Sequence, residues 1–231
     1  MGPFRERPLF SPLKKPLSES ELGIITTAAP YDPDKGPQGQ DAPYNAAAKF
    51  YQPYSQSVGG KSDLRIVHVG VERKNADMKD SKYWFPLETA DRTVSAGRVK
   101  AISSNVYGLP TNWRQRHTLE TDAHLVLEML KADGVDVAVL IPNCPICHQS
   151  QSLLARYLES AGISTVLMGA AKDIVEYCGV PRFLFSDFPL GNAAAKPNDL
   201  ASQDINLDLA LRLLELAPIC RTTRSISINL V

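Results

Sequence analysis

From Val135 onward the chain alternates apolar runs with amphipathic stretches, and few folds accept that order. Val135–Ile141 is almost uninterruptedly apolar, as is Ile163–Met168. A strand reads this way when helices cover both faces of its sheet. Between the two runs, Pro145 opens a helical pattern that Gly162 stops. Ala170–Tyr177 then reads as a short helix, Arg182–Ser186 as a strand and Asp204–Leu216 as a final helix. Strand–helix–strand order with right-handed crossovers predicts an α/β fold: a three-layer, doubly wound, mostly parallel sheet. Ligands in such folds bind beyond the carboxyl ends of the strands. That edge collects Thr26–Thr27–Ala28, Asn143–Cys144, Gly169–Ala170 and Asp187–Asn192.

The earlier half is less regular. Residues 1–21, with Pro3, Pro8, Pro12 and Pro16, predict an extended N-terminal arm, because proline at that density forbids a helix. Residues 22–231 then form a single α/β domain. Leu22–Thr27 is the first strand candidate and Tyr31–Pro43 a polar loop. Tyr44–Tyr51 reads as a short helix, and Leu64–Val69 alternates as a half-buried strand does. Asn75–Lys82 is charged and irregular, Glu88–Ala96 helical and Val99–Tyr107 β-like. Thr118 is placed to cap a helix that Gly134 ends, and Ile226–Leu230 alternates as an edge strand does.

Composition narrows the function classes. The 231 residues carry 25 Lys+Arg against 25 Asp+Glu, a formal net charge of zero. That balance predicts neither a nucleic-acid nor a membrane-surface partner and leaves homo-oligomer formation open. The sequence has no 18-residue apolar run and no apolar stretch following its first basic residues. The expectation is a cytoplasmic protein with no membrane span. Four cysteines are too few for a disulfide scaffold, so the single Cys-x-x-Cys points to redox or metal chemistry.

That motif, Asn143–Cys144–Pro145–Ile146–Cys147–His148, sits at the junction of strand and helix. Proline suits the first helical position, which makes Cys144 the N-cap and Cys147 the third helical residue. A thiolate at the cap is stabilised by free N–H groups and the helix dipole. One turn brings Cys147 within disulfide reach, and His148 or Asn143 could donate to the thiolate. The residues alone thus describe an attacking thiol, Cys144, and a resolving thiol, Cys147. Other readings stay open. The string matches a haem-attachment motif, which needs export and a second axial ligand. A zinc site could use Cys144, Cys147, His148 and Cys178, although the spacing of two ligand pairs is missing. The pair could also be buried and inert. His68 reads as a core histidine, with a site role as the alternative, and His117, His124 and Cys220 as incidental.

Asp133–Gly134–Val135–Asp136–Val137–Ala138–Val139–Leu140, the cysteine turn, Val180–Pro181–Arg182 and Phe188–Pro189–Leu190–Gly191–Asn192 together resemble the selenoprotein B subunits of glycine, sarcosine, betaine and D-proline reductases. Thr26–Thr27 is similar to a pair ending that family's first strand. The similarity covers roughly residues 120–217. The resemblance places Cys144 where members often carry selenocysteine, and Cys147 at the paired cysteine. It implies an oxidoreductase, a thiol-dependent reductase acting by reductive cleavage at an α-carbon of a small-molecule substrate, with a disulfide formed in turnover. It also implies a pyruvoyl-type partner subunit and a thiol reductant. No bound cofactor or metal is expected, only an external dithiol such as thioredoxin or glutathione. Thr26, Thr27, Asn143, His148, Gly191 and Asn192 are the expected substrate-binding residues. Three positions depart from the pattern: cysteine replaces selenocysteine, Ser150 stands where a further cysteine is common, and Ala193 replaces a proline. The alternative expectation is a non-catalytic ligand- or zinc-binding subunit of a larger complex.

Overall fold

The computed structural model describes residues 9–38, 42, 44–59, 63–71, 81–82, 84–217 and 222–226. The expectations for 1–8, for most of 75–82, for Cys220 and for 227–231 lie outside the described residues, as does part of the 31–43 loop.

In chain order the strands are β1 (Glu21–Thr26), β2 (Ala29–Pro30), β3 (Tyr54–Ser57), β4 (Leu64–Arg65), β5 (Ala101–Ile102) and β6 (Asn105–Gly108). They continue with β7 (Val137–Ile141), β8 (Ser164–Gly169), β9 (Arg182–Ser186) and β10 (Thr222–Ile226). The helices are α1 (Leu87–Ser95), α2 (Gln115–His117), α3 (Ala123–Ala132), α4 (Pro145–Ser160), α5 (Lys172–Cys178) and α6 (Leu200–Leu216). The main sheet runs β10-β9-β8-β7-β1-β6-β3, with β5 also on β1. All its pairings are parallel except the edge strand β3, which runs antiparallel to β6.

The three layers follow from the period-two alternation of strand side chains. Ile24, Val137, Val139, Ile141, Val166, Met168 and Leu184 share a core with Ala90 of α1 and with Leu207, Leu211 and Leu214 of α6. Ile25, Ala138, Leu140, Leu167 and Phe183 face the other way, onto Val126 and Leu130 of α3, Leu154 and Leu158 of α4 and Val175 of α5. Each of the Val, Leu, Ile, Met and Phe side chains among them, fully buried, contributes about 1.5–3 kcal/mol. A three-layer, mostly parallel α/β fold is therefore what the chain adopts.

Several local expectations are corrected. Thr118 is no helix cap: it lies in helical backbone within a wide π turn, Thr118–Asp122, that joins α2 to α3. The helix starts earlier, at Gln115, and the buried Asp122 carboxylate accepts from Asn112 Nδ2 at 2.7 Å, tying the turn to the preceding loop. Residues 64–69 do not enter the main sheet. Only Leu64 and Arg65 pair, antiparallel, with β2. Leu64, Ile66 and Val71 join the α1–α6 core, while Val67 packs with Ala29 and Ala48. Their alternation comes from a cover segment packed on two sides. Among the described residues the last strand is Thr222–Ile226, which adds in parallel to β9; the 226–230 expectation lies beyond them except at Ile226. Tyr44–Tyr51 contains only the 3-10 turn Ala46–Ala48.

The described part of the arm is fastened to the amino ends of the strands. Ser11 N donates to Glu159 Oε2 at 2.6 Å, and Arg182 Nη2 donates to Ser11 O at 2.8 Å. The Phe10 ring lies 4.2 Å from the Arg182 guanidinium, and Lys15 pairs with Asp136 at 2.8 Å.

Candidate functional site: the thiol turn and its cover

At the opposite edge, β7 delivers Pro142, Asn143 and Cys144 directly into α4. Cys144 is the N-cap, with extended backbone (φ −125°, ψ 170°), and Pro145 is at the first helical position. The cap geometry turns Cys144 Sγ back over the helix, where it accepts from Cys147 N at 3.3 Å. The two sulfurs are 2.7 Å apart and both cysteines are free thiols.

The two thiols are electrostatically unequal. The Cys147 thiol donates to Cys144 Sγ, and this bond is the main reason the Cys144 thiol is held below its ordinary range. Burial opposes the shift, while the N–H groups of Cys147 and Ile146 and the Lys49 ammonium reinforce it. Cys147 is pushed well up, first by burial and then by donating to and lying beside the Cys144 sulfur. Thr27 Oγ1 donates to Cys147 Sγ and tempers that rise. Cys144 keeps a small accessible edge, and Cys147 has none.

The other expected residues fall into three groups. Thr27 and Asn143 adjoin the thiols: Thr27 Oγ1 accepts from Asn143 N at 3.3 Å and from Asn143 Nδ2 at 3.0 Å. Asn143 Oδ1 is buried with no partner among the described residues. Thr26 sits one residue earlier, and its hydroxyl accepts from Ala28 N at 3.1 Å, closing the strand end. His148 is turned away from the thiol chemistry. Its Nδ1 donates to Cys144 O at 2.8 Å and its Nε2 accepts from Ala170 N at 3.1 Å. Burial lowers its pKa to about 4, so it is a neutral tie between α4 and the end of β8. Gly191 and Asn192 reach the site through the cover segment. Gly191 has φ +104°, and an added Cβ would meet Val71 Cγ1. Asn192 is buried, with Oδ1 lacking a partner among the described residues.

At His68 the alternative to a core histidine, a place at the site, is the one the structure favours. The cover segment brings this histidine over the thiols, so that one ring nitrogen and both sulfurs lie within 4.8 Å of one another. Its Nε2 is also 3.2 Å from Thr111 Oγ1. Two residues on, Gly70 allows close approach: an added Cβ would stand 2.9 Å from Pro145 Cδ and 3.7 Å from Cys144 Cβ. The signal available in the sequence was a lone histidine followed by Gly70, too little to place it across more than seventy residues. Cys178, by contrast, packs with Leu153, and burial pushes its thiol up to about 11.

Among the described residues no helix is long and apolar enough to cross a membrane. No family model matches the chain, and no solved structure gives a significant match. One curated protein does match: the D-proline reductase subunit gamma of Acetoanaerobium sticklandii, 24% identical over 198 residues. The aligned region covers 85% of this chain and 79% of that subunit. On that match the chain is a distant relative of the proline reductase family.

Proposed function

We propose that the chain is a thiol-dependent reductase subunit that removes a substituent from the α-carbon of a small carbonyl compound. The observation that carries this reading is the unequal thiol pair at the α4 N-terminus, with sulfurs 2.7 Å apart. The relation to a reductase subunit supports the reaction class. Cys144 thiolate attacks the α-carbon; a C–S bond forms, and the C–X bond breaks with its electron pair leaving on X. The resolving thiol Cys147, deprotonated as the adduct forms, attacks Cys144 Sγ. The S–S bond forms, the C–S electron pair returns to carbon and a proton completes the reduced product. The substrate gains two electrons, the dithiol becomes a disulfide, and an external dithiol such as thioredoxin restores it. The buried oxygens of Asn143 and Asn192 are hydrogen-bond acceptors at the same edge, suited to a substrate N–H.

The relative is one subunit of a reductase, so we assign this chain the thiol-bearing role beside a carbonyl-bearing partner subunit that activates the substrate. The test is dithiothreitol-driven reduction of D-proline, glycine and betaine by the chain together with the products of its neighbouring genes. Cys144→Ser should abolish turnover. Cys147→Ser should release the leaving group once but no reduced product, with the adduct on Cys144 visible as an intact-mass increase. Wild-type turnover by Cys144→Ser would overturn the assignment.

A further inference from the structure

The thiol turn carries a third ligand-type side chain that the reductase reading does not use. His68, Cys144 and Cys147 are all buried, and their ligand atoms lie within 4.8 Å of one another. They come from two segments far apart in sequence, the cover and the start of α4. We infer that in the dithiol state His68, Cys144 and Cys147 form a three-ligand site for a thiophilic divalent cation, of which Zn²⁺ is the type.

The donor set is what such an ion takes: two thiolates and one imidazole, with a fourth position left for water or another small ligand. Tetrahedral zinc, with Zn–S near 2.3 Å and Zn–N near 2.0–2.1 Å, sets its ligand atoms about 3.5–3.8 Å apart. The His68 ring nitrogen lies within 4.8 Å of both sulfurs and has at most about 1 Å to close, whereas the sulfurs, 2.7 Å apart, must separate by about 1 Å. A small change of side-chain torsion at Cys144, whose backbone is already extended, supplies that. The surroundings suit thiolate ligands: the free N–H groups of the α4 N-terminus face Cys144, and Lys49 is close enough to favour its charged form. Thr111 Oγ1, 3.2 Å from His68 Nε2, would serve as the outer hydrogen bond that fixes a histidine ligating through Nδ1. His148 cannot serve, because both its ring nitrogens are engaged with backbone. Cys178 packs elsewhere, against Leu153.

Binding exchanges two thiol protons for one cation and moves no electrons. Because the same two sulfurs form the disulfide, metal-loaded and oxidised states exclude each other. The loaded form is therefore protected from oxidation and closed to attack on carbon.

The test is a Zn²⁺ titration of the full chain against a chromophoric chelator, after phosphine reduction and anaerobic desalting. One Zn²⁺ per chain should bind to the reduced protein and none to the disulfide form. Co²⁺ should give thiolate-to-cobalt absorption with tetrahedral visible bands. His68→Ala should weaken Zn²⁺ binding at least about tenfold, while His68→Cys, which keeps a ligand, should restore it. His124→Ala, on an exposed face of α3, should bind as wild type. Thermal unfolding confirms that each variant is folded. Equal affinity in His68→Ala would reduce the site to a two-thiol chelate and overturn the inference. So would absence of stoichiometric binding to reduced wild type, or equal binding to the oxidised form. These readouts are independent of turnover, so either proposal can fail alone.

Discussion

Cys144 and Cys147 are the same side chain three residues apart, and the start of a helix makes them different. The N-cap position gives Cys144 two backbone N–H groups and a thiol donor, while Cys147, inside the first turn, has burial as its dominant influence. In the reduced, metal-free protein, Cys144 should therefore react with iodoacetamide at pH 7 at least about tenfold faster than Cys147 or Cys178. Its rate should hold below the ordinary thiol range and fall only as pH drops through its lowered pKa. Peptide mapping after timed alkylation checks this; uniform labelling would show that the cap does not separate the thiols. His148 makes a second residue-level prediction, in acid. Its pKa falls from 6.5 to about 4 on folding. Between those values the unfolded chain binds the extra proton, so stability from the neutral ring is complete above about pH 6.5. It is lost as pH falls towards 4, by roughly 3 kcal/mol in all. Unfolding free energies of wild type and His148→Gln from urea titrations, compared from pH 7.5 to pH 4, should converge by about that amount.

The cover segment, residues 64–71, is the element on which the site depends. It leaves the sheet after Arg65, places His68 over the thiols, and wedges between Pro145 on one side and Gly191 on the other. Gly191→Ala adds a Cβ at positive φ that must displace Val71. It should cost about 1–3 kcal/mol and weaken Zn²⁺ binding more than it slows Cys144 alkylation, because His68 moves with the cover while Cys144 stays on α4. Equal losses in both assays would show instead that α4 itself has shifted. The contrast between α4 and the cover explains what the sequence could disclose. Strands buried on both faces read as continuous apolar runs, so β7, β8 and β9 were legible nearly to the residue, and Pro145 marked the α4 start. The cover alternates because it packs on two sides, a pattern local reading cannot separate from a strand. The edge strands β3 (Tyr-Ser-Gln-Ser) and β10 (Thr-Thr-Arg-Ser-Ile) are polar, so no period announced them. The π turn depends on Asp122 and Asn112 meeting in three dimensions. The thiol pair was visible because its spacing is local; His68 was not, because its proximity is tertiary.

Across the whole molecule the sheet separates chemistry from fastening. The carboxyl ends of β1 and β7 carry Thr27, Asn143 and the thiols, whereas the amino ends of β8 and β9 carry a buried ion pair clamped by the arm. Arg182 Nη1 and Glu159 Oε1 are 2.6 Å apart with both side chains fully buried. Glu159 Oε1 also accepts from Thr165 N and Oγ1, while Ser11 supplies a donor to Glu159 and an acceptor to Arg182. A buried pair of this kind is stable only while its remaining hydrogen-bonding capacity is met, and a missing partner leaves desolvated charge. Deleting residues 1–13 removes the Ser11 bonds and the Phe10 ring but leaves every residue of the thiol turn in place. The deletion should lower stability by about 2–4 kcal/mol, from lost charge-assisted hydrogen bonds and a newly hydrated ion pair. Arg182→Met, which strands the Glu159 carboxyl, should cost roughly 3–5 kcal/mol. Because the length of β7 and β8 separates this clamp from α4's first turn, Cys144 alkylation at pH 7 should stay within about twofold of wild type in both variants, provided they remain folded. Denaturant midpoints and alkylation rates measured on the same samples decide the matter. Rates that fell in step with stability would show that the two edges of the sheet are coupled through the parallel strands.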